Sequence, residues 1–184
     1  MKNVLLITSV AFLAACNSQP AATADASKPA ADSSTVMAEI KSPYQVGYSS
    51  KFVMDDPKNA ETLLSLWKDW DKGDLLGSKD KFADSLTFHM SDGSSMHGGR
   101  DSLLAAMQQY RSTFASAVSE VNAIMAVKST DKDENWALIW GKETDTDKKG
   151  KVDSFYLQET WRFNKSGKAN LVYQFKSAAA PPKK

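Results

Sequence analysis

The spacing of apolar residues changes twice along this chain. Val4 to Leu13 is a nearly unbroken apolar run, and residues 57–114 carry helical periods. After Phe114 the period becomes twofold. A first helix is predicted from about Pro57 to Lys72, with Asp56 as N-cap, Pro57 in the first turn and Gly73 as the stop. Ala60, Leu63, Leu64, Trp67 and Trp70 share its inward face. A shorter helix is expected around Ser78–Asp84, then a strand at Leu86–Met90, a turn at residues 91–95 and a short strand at Met96 and His97. Gly98-Gly99 opens a longer helix with Leu103, Leu104, Met107, Tyr110 and Phe114 inward.

Four strands are predicted beyond that helix, near Ser119–Ser129, Asn135–Thr144, Val152–Phe163 and Ala169–Ser177. The turns between them are short and polar, which makes neighbours antiparallel. Helices first and a meander last give an α+β domain over residues 44–177, with residues 178–184 as a disordered tail.

The N-terminal run is too short to span a bilayer, and Lys2 precedes it. Leu13-Ala14-Ala15-Cys16 follows and resembles the lipobox of bacterial lipoproteins. The resemblance implies a signal peptide over residues 1–15, cleavage after Ala15 and a lipid on Cys16. Acyl chains there anchor the protein to a membrane. An ordinary signal peptide with an incidental thiol is the plainer alternative. Residues 17–42 are rich in Ala, Ser, Thr and Pro, so residues 16–43 read as the lipidated cysteine and a flexible tether. Asn17 departs from the Asp that retains lipoproteins at the inner membrane. The expected place is therefore the outer membrane, facing the periplasm.

Formal net charge is +1, with both signs interleaved, and no basic stripe invites nucleic acid. Cys16 is the sole cysteine, so the domain has no disulfide and no thiol nucleophile. No nucleotide-binding glycine loop, metal motif or nucleophile triad is present, and no cofactor is implied.

Several segments carry a family resemblance. Trp67-Lys68-Asp69-Trp70-Asp71-Lys72-Gly73-Asp74 ends the first helix, and Phe82 to Phe88 leads to Asp92-Gly93. Gly98-Gly99-Arg100-Asp101-Ser102-Leu103 opens the next helix, and Glu159-Thr160-Trp161-Arg162-Phe163 precedes Ser166-Gly167-Lys168. In this order they resemble the nuclear-transport-factor-2-like superfamily, and within it the SnoaL-like group, over about Asn59–Phe175. The resemblance implies a strongly bent antiparallel sheet wrapped around N-terminal helices into a cone, whose open end often holds a small molecule. Members include isomerases, cyclases, dehydratases and binding modules, so the fold leaves function open. The tyrosine and aspartate of the steroid-isomerase type fall on Leu66 and Met90, neither of which transfers a proton. A one-residue slip would bring His89 to the base position.

His89 and Glu159 are the two candidate acid–base groups. With residues 91–95 as the turn, His89 pairs with His97 across the hairpin, two rings on one face. A solvent-facing pair is the plainer reading. With no third ligand beyond Asp92 or Asp101, no metal is assigned. Glu159 shares a face with Phe155, Leu157, Trp161 and Phe163, where burial raises a carboxyl's pKa unless it is paired. A bulge turning it outward, or a salt bridge to Lys142 or Arg162, is the structural alternative. Trp136, Leu138 and Trp140 alternate onto one face, as do Leu171, Tyr173 and Phe175, and with Trp67, Trp70 and Trp161 they make an aromatic interior. That interior is core or cavity wall. The candidate pocket residues are Trp67, Trp70, His89, His97, Trp136, Trp140, Tyr156 and Trp161. Tyr156, Gln158, Thr160, Arg162 and Gln174 form the interleaved face, a polar cleft or a sheet surface for a homodimer.

The chain thus reads as a membrane-anchored envelope lipoprotein whose SnoaL-like domain is a non-catalytic binding or accessory module. Its partner is a small apolar ligand or an envelope protein. The alternative is an enzyme of isomerase, cyclase or dehydratase type, moving a proton on a small hydrophobic molecule.

Overall fold

The computed structural model describes residues 40–178. The segments expected as signal peptide, lipidated Cys16 and tether, up to residue 39, and the tail beyond Ala178 lie outside the described residues. The elements run β1 (Phe52–Met54), α1 (Lys58–Lys72), a 3-10 helix (Leu76–Lys81), β2 (Phe82–His89), β3 (Ser95–Gly99) and α2 (Arg100–Arg111). Four long strands follow: β4 (Phe114–Ser129), β5 (Glu134–Asp147), β6 (Val152–Phe163) and β7 (Ala169–Ala178). They form one strongly curved, unclosed sheet of order β1-β4-β5-β6-β7-β2-β3, with α1 packed on β4 and β5. Every neighbouring pair is antiparallel except β2 with β7, which is parallel.

Helix α1 shows how the sequence sets the core. Leu63, Leu66 and Trp67 are buried at helical spacing, whereas Leu64, expected inward, is turned partly to solvent. Asp56 does not cap by the expected route. Pro57 occupies the N-cap position and the Asp56 carboxylate accepts from the Lys58 N–H at 3.0 Å. At the other end Gly73 takes a left-handed φ of 74°, as a helix stop requires. The carbonyls freed there go to α2. Buried Arg111 donates to Trp70 O at 2.7 Å and Asp71 O at 2.9 Å, and Gln108 donates to Gly73 O at 2.8 Å. The C-terminal end of α1 is thus tied to α2, with Arg111 supplying charge-assisted bonds.

The segment expected as a helix at Ser78–Asp84 is a 3-10 helix ending at Lys81, and β2 begins at Phe82. Phe114, expected on the second helix, starts β4 instead. On the sheet, the inner face of β6 carries Phe155, Leu157, Glu159, Trp161 and Phe163, all buried, as alternation predicts. Strand β5 reverses the expectation. Its inner residues are Ala137, Ile139, Gly141, Glu143 and Asp145, while Trp136, Leu138 and Trp140 lie on the outer face. At Gly141 no side chain fits inside, because Trp67 lies against the strand. A Cβ at Gly141 would stand 2.6 Å from the Trp67 ring and 2.5 Å from the Glu120 carbonyl oxygen. The β-bulge between Val121 and Ala123 sits opposite. Outside, Trp136 is covered by Tyr48, edge to face at 5.8 Å, and by the Arg162 guanidinium at 5.9 Å.

Because backbone and indole both crowd Gly141, Gly141→Ala should lower stability by about 1–3 kcal/mol. Urea unfolding checks this, and an unshifted midpoint would show that Trp67 yields without cost.

Candidate functional site

Towards the end of α1 the inner faces of β5, β6 and β7 are faced only by the last turns of α1, by α2 and by the β2–β3 hairpin. A cavity of about 520 Å³ opens there, in the range of small-molecule sites. Its apolar wall comes from α1 (Leu66, Trp67, Trp70), α2 (Met107, Tyr110) and β6 (Phe155, Leu157, Trp161). Met90 and Met96, at the ends of the β2–β3 hairpin, close one side. Methionines adapt to the shape of what they touch.

Three acids from the sheet face this space: Glu143 and Asp145 of β5, and Glu159 of β6. They are 7%, 6% and 6% exposed. Their environments differ sharply. Glu159 Oε2 accepts from the indole N–H groups of Trp67 at 2.7 Å and Trp161 at 2.9 Å, and Oε1 accepts from the Gln174 amide at 2.9 Å. Glu143 accepts from the Trp70 indole at 3.0 Å, and its carboxyl also hydrogen-bonds the Asp145 side chain, the two acids sharing a proton. Asp145 Oδ1 is buried with no hydrogen-bond partner among the described residues. Burial first, and then the adjacent Asp145, push the Glu143 carboxyl up to about 8. Burial also raises Asp145. At neutral pH the cavity therefore keeps a proton on its acid pair.

The structure divides the residues singled out from sequence. Trp67, Trp70 and Trp161 line the cavity, together with Glu159. Trp136, Trp140 and Tyr156 do not, because the β5 and β6 register puts them on the outer face. Gln174 is also displaced from its expected place. It is opposite Glu159 in the ladder, so it points inward rather than beside Tyr156. The expected histidine pair does not form: the hairpin register sets Thr87 opposite His97 and His89 opposite Ser95. His97 Nδ1 bonds the Thr87 hydroxyl at 2.9 Å, and the His89 ring stacks on Tyr173 at 4.7 Å, away from the cavity. Glu159 makes no salt bridge to the residues considered for it. Lys142 pairs with Glu120 and Arg162 with Glu134.

Sequence reasoning missed Glu143 and Asp145. Both sit in Gly141-Lys142-Glu143-Thr144-Asp145-Thr146-Asp147, which looks like a solvated strand end. The signal was their phase: they alternate in step with Ala137 and Ile139, the fully buried residues of the same strand.

No family model matches the sequence, and no curated protein is detectably similar. Solved structures are similar in fold. A nuclear-transport-factor-2-like protein of unknown function from Burkholderia pseudomallei matches 65% of this chain and 91% of its own, at 17% identity and a TM-score of 0.53. AusH from Aspergillus nidulans matches 69% and 88%, at 14% identity and 0.54. An LEH-like epoxide hydrolase from M. tuberculosis matches 65% and 83%, at 9% identity and 0.55. The chain has the nuclear-transport-factor-2-like fold.

The raised Glu143 carboxyl has a thermodynamic consequence. The folded state binds a proton there that the unfolded chain, with a glutamate near 4.5, has already lost. Stability therefore falls as pH rises from about 4.5 to about 8, and levels off above. Glu143→Gln should flatten that slope, raising Tm by roughly 5 °C at pH 9 and changing it little at pH 4.5. Equal Tm differences at both pH values would show that the carboxyl is not held protonated.

Proposed function

We propose that this chain is an envelope lipoprotein whose domain binds a small, largely apolar molecule without transforming it. The cavity carries this reading: an apolar wall of aromatic and methionine side chains with a few buried acids at one end, left open rather than filled. The resemblance of Leu13-Ala14-Ala15-Cys16 to a lipobox supports anchorage through Cys16, and Asn17 in place of the retaining aspartate supports a position at the outer membrane, facing the periplasm. On the outer sheet face, Tyr156, Tyr173 and Phe175 are exposed, which supports a contact between two copies there.

One observation favours a second reading, an enzyme of isomerase, cyclase or dehydratase type. A carboxyl held near neutrality in an apolar cavity is suited to take or give a proton, and Glu143 is such a group.

Native mass spectrometry of the full chain, released gently from membranes, tests these points together. The expected spectrum shows acyl mass that Cys16→Ser removes, two copies, and a retained small molecule that Ala106→Trp, at the cavity edge, excludes. Bare polypeptide mass in both wild type and Ala106→Trp would count against the binding reading. Chemical conversion of the retained molecule by wild type but not by Glu143→Gln would establish the enzyme instead.

A further inference from the structure

We infer that the molecule held in this cavity carries a positively charged nitrogen, seated against Glu143 and Asp145 and bounded by aromatic rings. The inference rests on the binding reading above and specifies its ligand class.

The first ground is the acid pair itself. Asp145 is 6% exposed, faces the cavity, and its Oδ1 has no partner among the described residues. A buried acceptor left without a donor is a standing cost that a fold normally removes. No salt bridge reaches Glu143 or Asp145 among the described residues. The nearest cations are committed elsewhere. Arg111 spends its guanidinium on the carbonyls of Trp70, Asp71 and Phe114. Lys176 Nζ sits 3.3 Å above the Phe155 ring.

The second ground is that same lysine. An ammonium over a cavity-lining ring shows that this wall accepts cationic nitrogen, as the negative face of an aromatic ring predicts. Trp70 and Tyr110 flank the acids with further rings, their centroids 6.2 Å apart. The combination of an acid pair without a salt-bridge partner, one oxygen of it unmet, and aromatic faces suits an organic cation. It does not suit an anion, and no cluster of three or more metal-type ligands is present among the described residues.

The charges around the pair explain how the free site is balanced. Strand β5 presents Glu143 and Asp145, β6 presents Glu159 and Asp153, and β7 presents Lys176. Helix α2 presents Arg111 and Tyr110. The α1 carboxylate nearest in sequence, Asp71, is engaged by Lys68 and Ser119. On β4 the residues opposite the pair are Ser119 and Ala117, both uncharged. Acids exceed cations, and a proton held near Glu143 up to about 8 offsets part of the excess. An entering cation takes the place of that proton. Affinity for a permanently charged cation should then rise as pH passes through this range. The expected gain is about tenfold between pH 7 and pH 9, following the fraction of Glu143 that is ionised.

The test compares choline with its uncharged carbon isostere 3,3-dimethylbutan-1-ol, against the full chain in dodecyl maltoside. Fluorescence of the cavity tryptophans reports binding. Choline should bind at least about tenfold more tightly than the alcohol at pH 9. Its affinity should rise with pH in wild type, be independent of pH in Glu143→Gln, and weaken in Asp145→Asn. If the alcohol binds as well as choline, the cationic ligand is refuted while the binding reading stands. If neither perturbs the tryptophans and the mass spectra also show no retained molecule, both fall together.

Discussion

The Glu159 carboxyl, buried on the inner face of β6, is the point on which the domain's interior depends. An acceptor of this kind inside an apolar core must be met by donors. Here they come from three places: Trp67 of α1, Trp161 of the same strand, and Gln174 of β7. The bond from Trp67 fixes how α1 lies on the sheet, and it is possible only because Gly141 leaves room for the indole. Helix, sheet and buried acid therefore share one geometric condition. The donors are also cavity wall, so satisfying the acid and lining the pocket with aromatic surface are the same act.

Why a cavity exists at all follows from lengths. A helix of 15 residues, such as α1, spans about 22 Å, whereas the 14-residue strand β5 spans about 46 Å. The helix covers β5 only part of the way. It ends at Gly73, with Arg111 and Gln108 of α2 gathering its last carbonyls. Beyond that point the inner faces of β5, β6 and β7 have only α2 and the β2–β3 hairpin to face, and the gap is the pocket. Glu143 lies at the last level of β5 that the helix reaches, through Trp70, and Asp145 lies one step beyond it.

Much of this was legible in the sequence. Gly73 as a helix stop, the four-strand meander, and the inner face of β6 all follow from period and turn chemistry. The errors share a cause. Ranking β5 and β7 faces by apolar bulk selects Trp136, Leu138 and Trp140, and Leu171, Tyr173 and Phe175. In a sheet curved around a helix, the inner face must go without a side chain where an indole already fills the space, as at Gly141, and the β5 tryptophans lie on the other face. Trp136 satisfies its apolar surface there against Tyr48 and Arg162. The histidine pairing failed on a two-residue shift of the ladder: moving the centre of the turn by one residue takes His97 from His89 to Thr87. Glu143 and Asp145 were hidden because polar residues near a strand end look solvated, and only the full ladder shows which end the helices leave bare.

Two kinds of buried acid therefore share one cavity, and their difference separates structure from function. Glu159 has three donors and explains itself through the packing it organises. Asp145 has an orphaned oxygen, and Glu143 is kept protonated by burial and by the neighbouring acid with which it shares that proton. Glu143 meets the Trp70 indole, but nothing in the fold requires an acid at 145. Ala137 and Ile139 show that the same strand can present apolar residues inward, and an apolar pair at 143 and 145 would remove both the unsatisfied oxygen and the titration. A local rule broken beside another acid where it is obeyed points away from packing and toward what enters the pocket. The acids that packing does not use are the ones a ligand would complete.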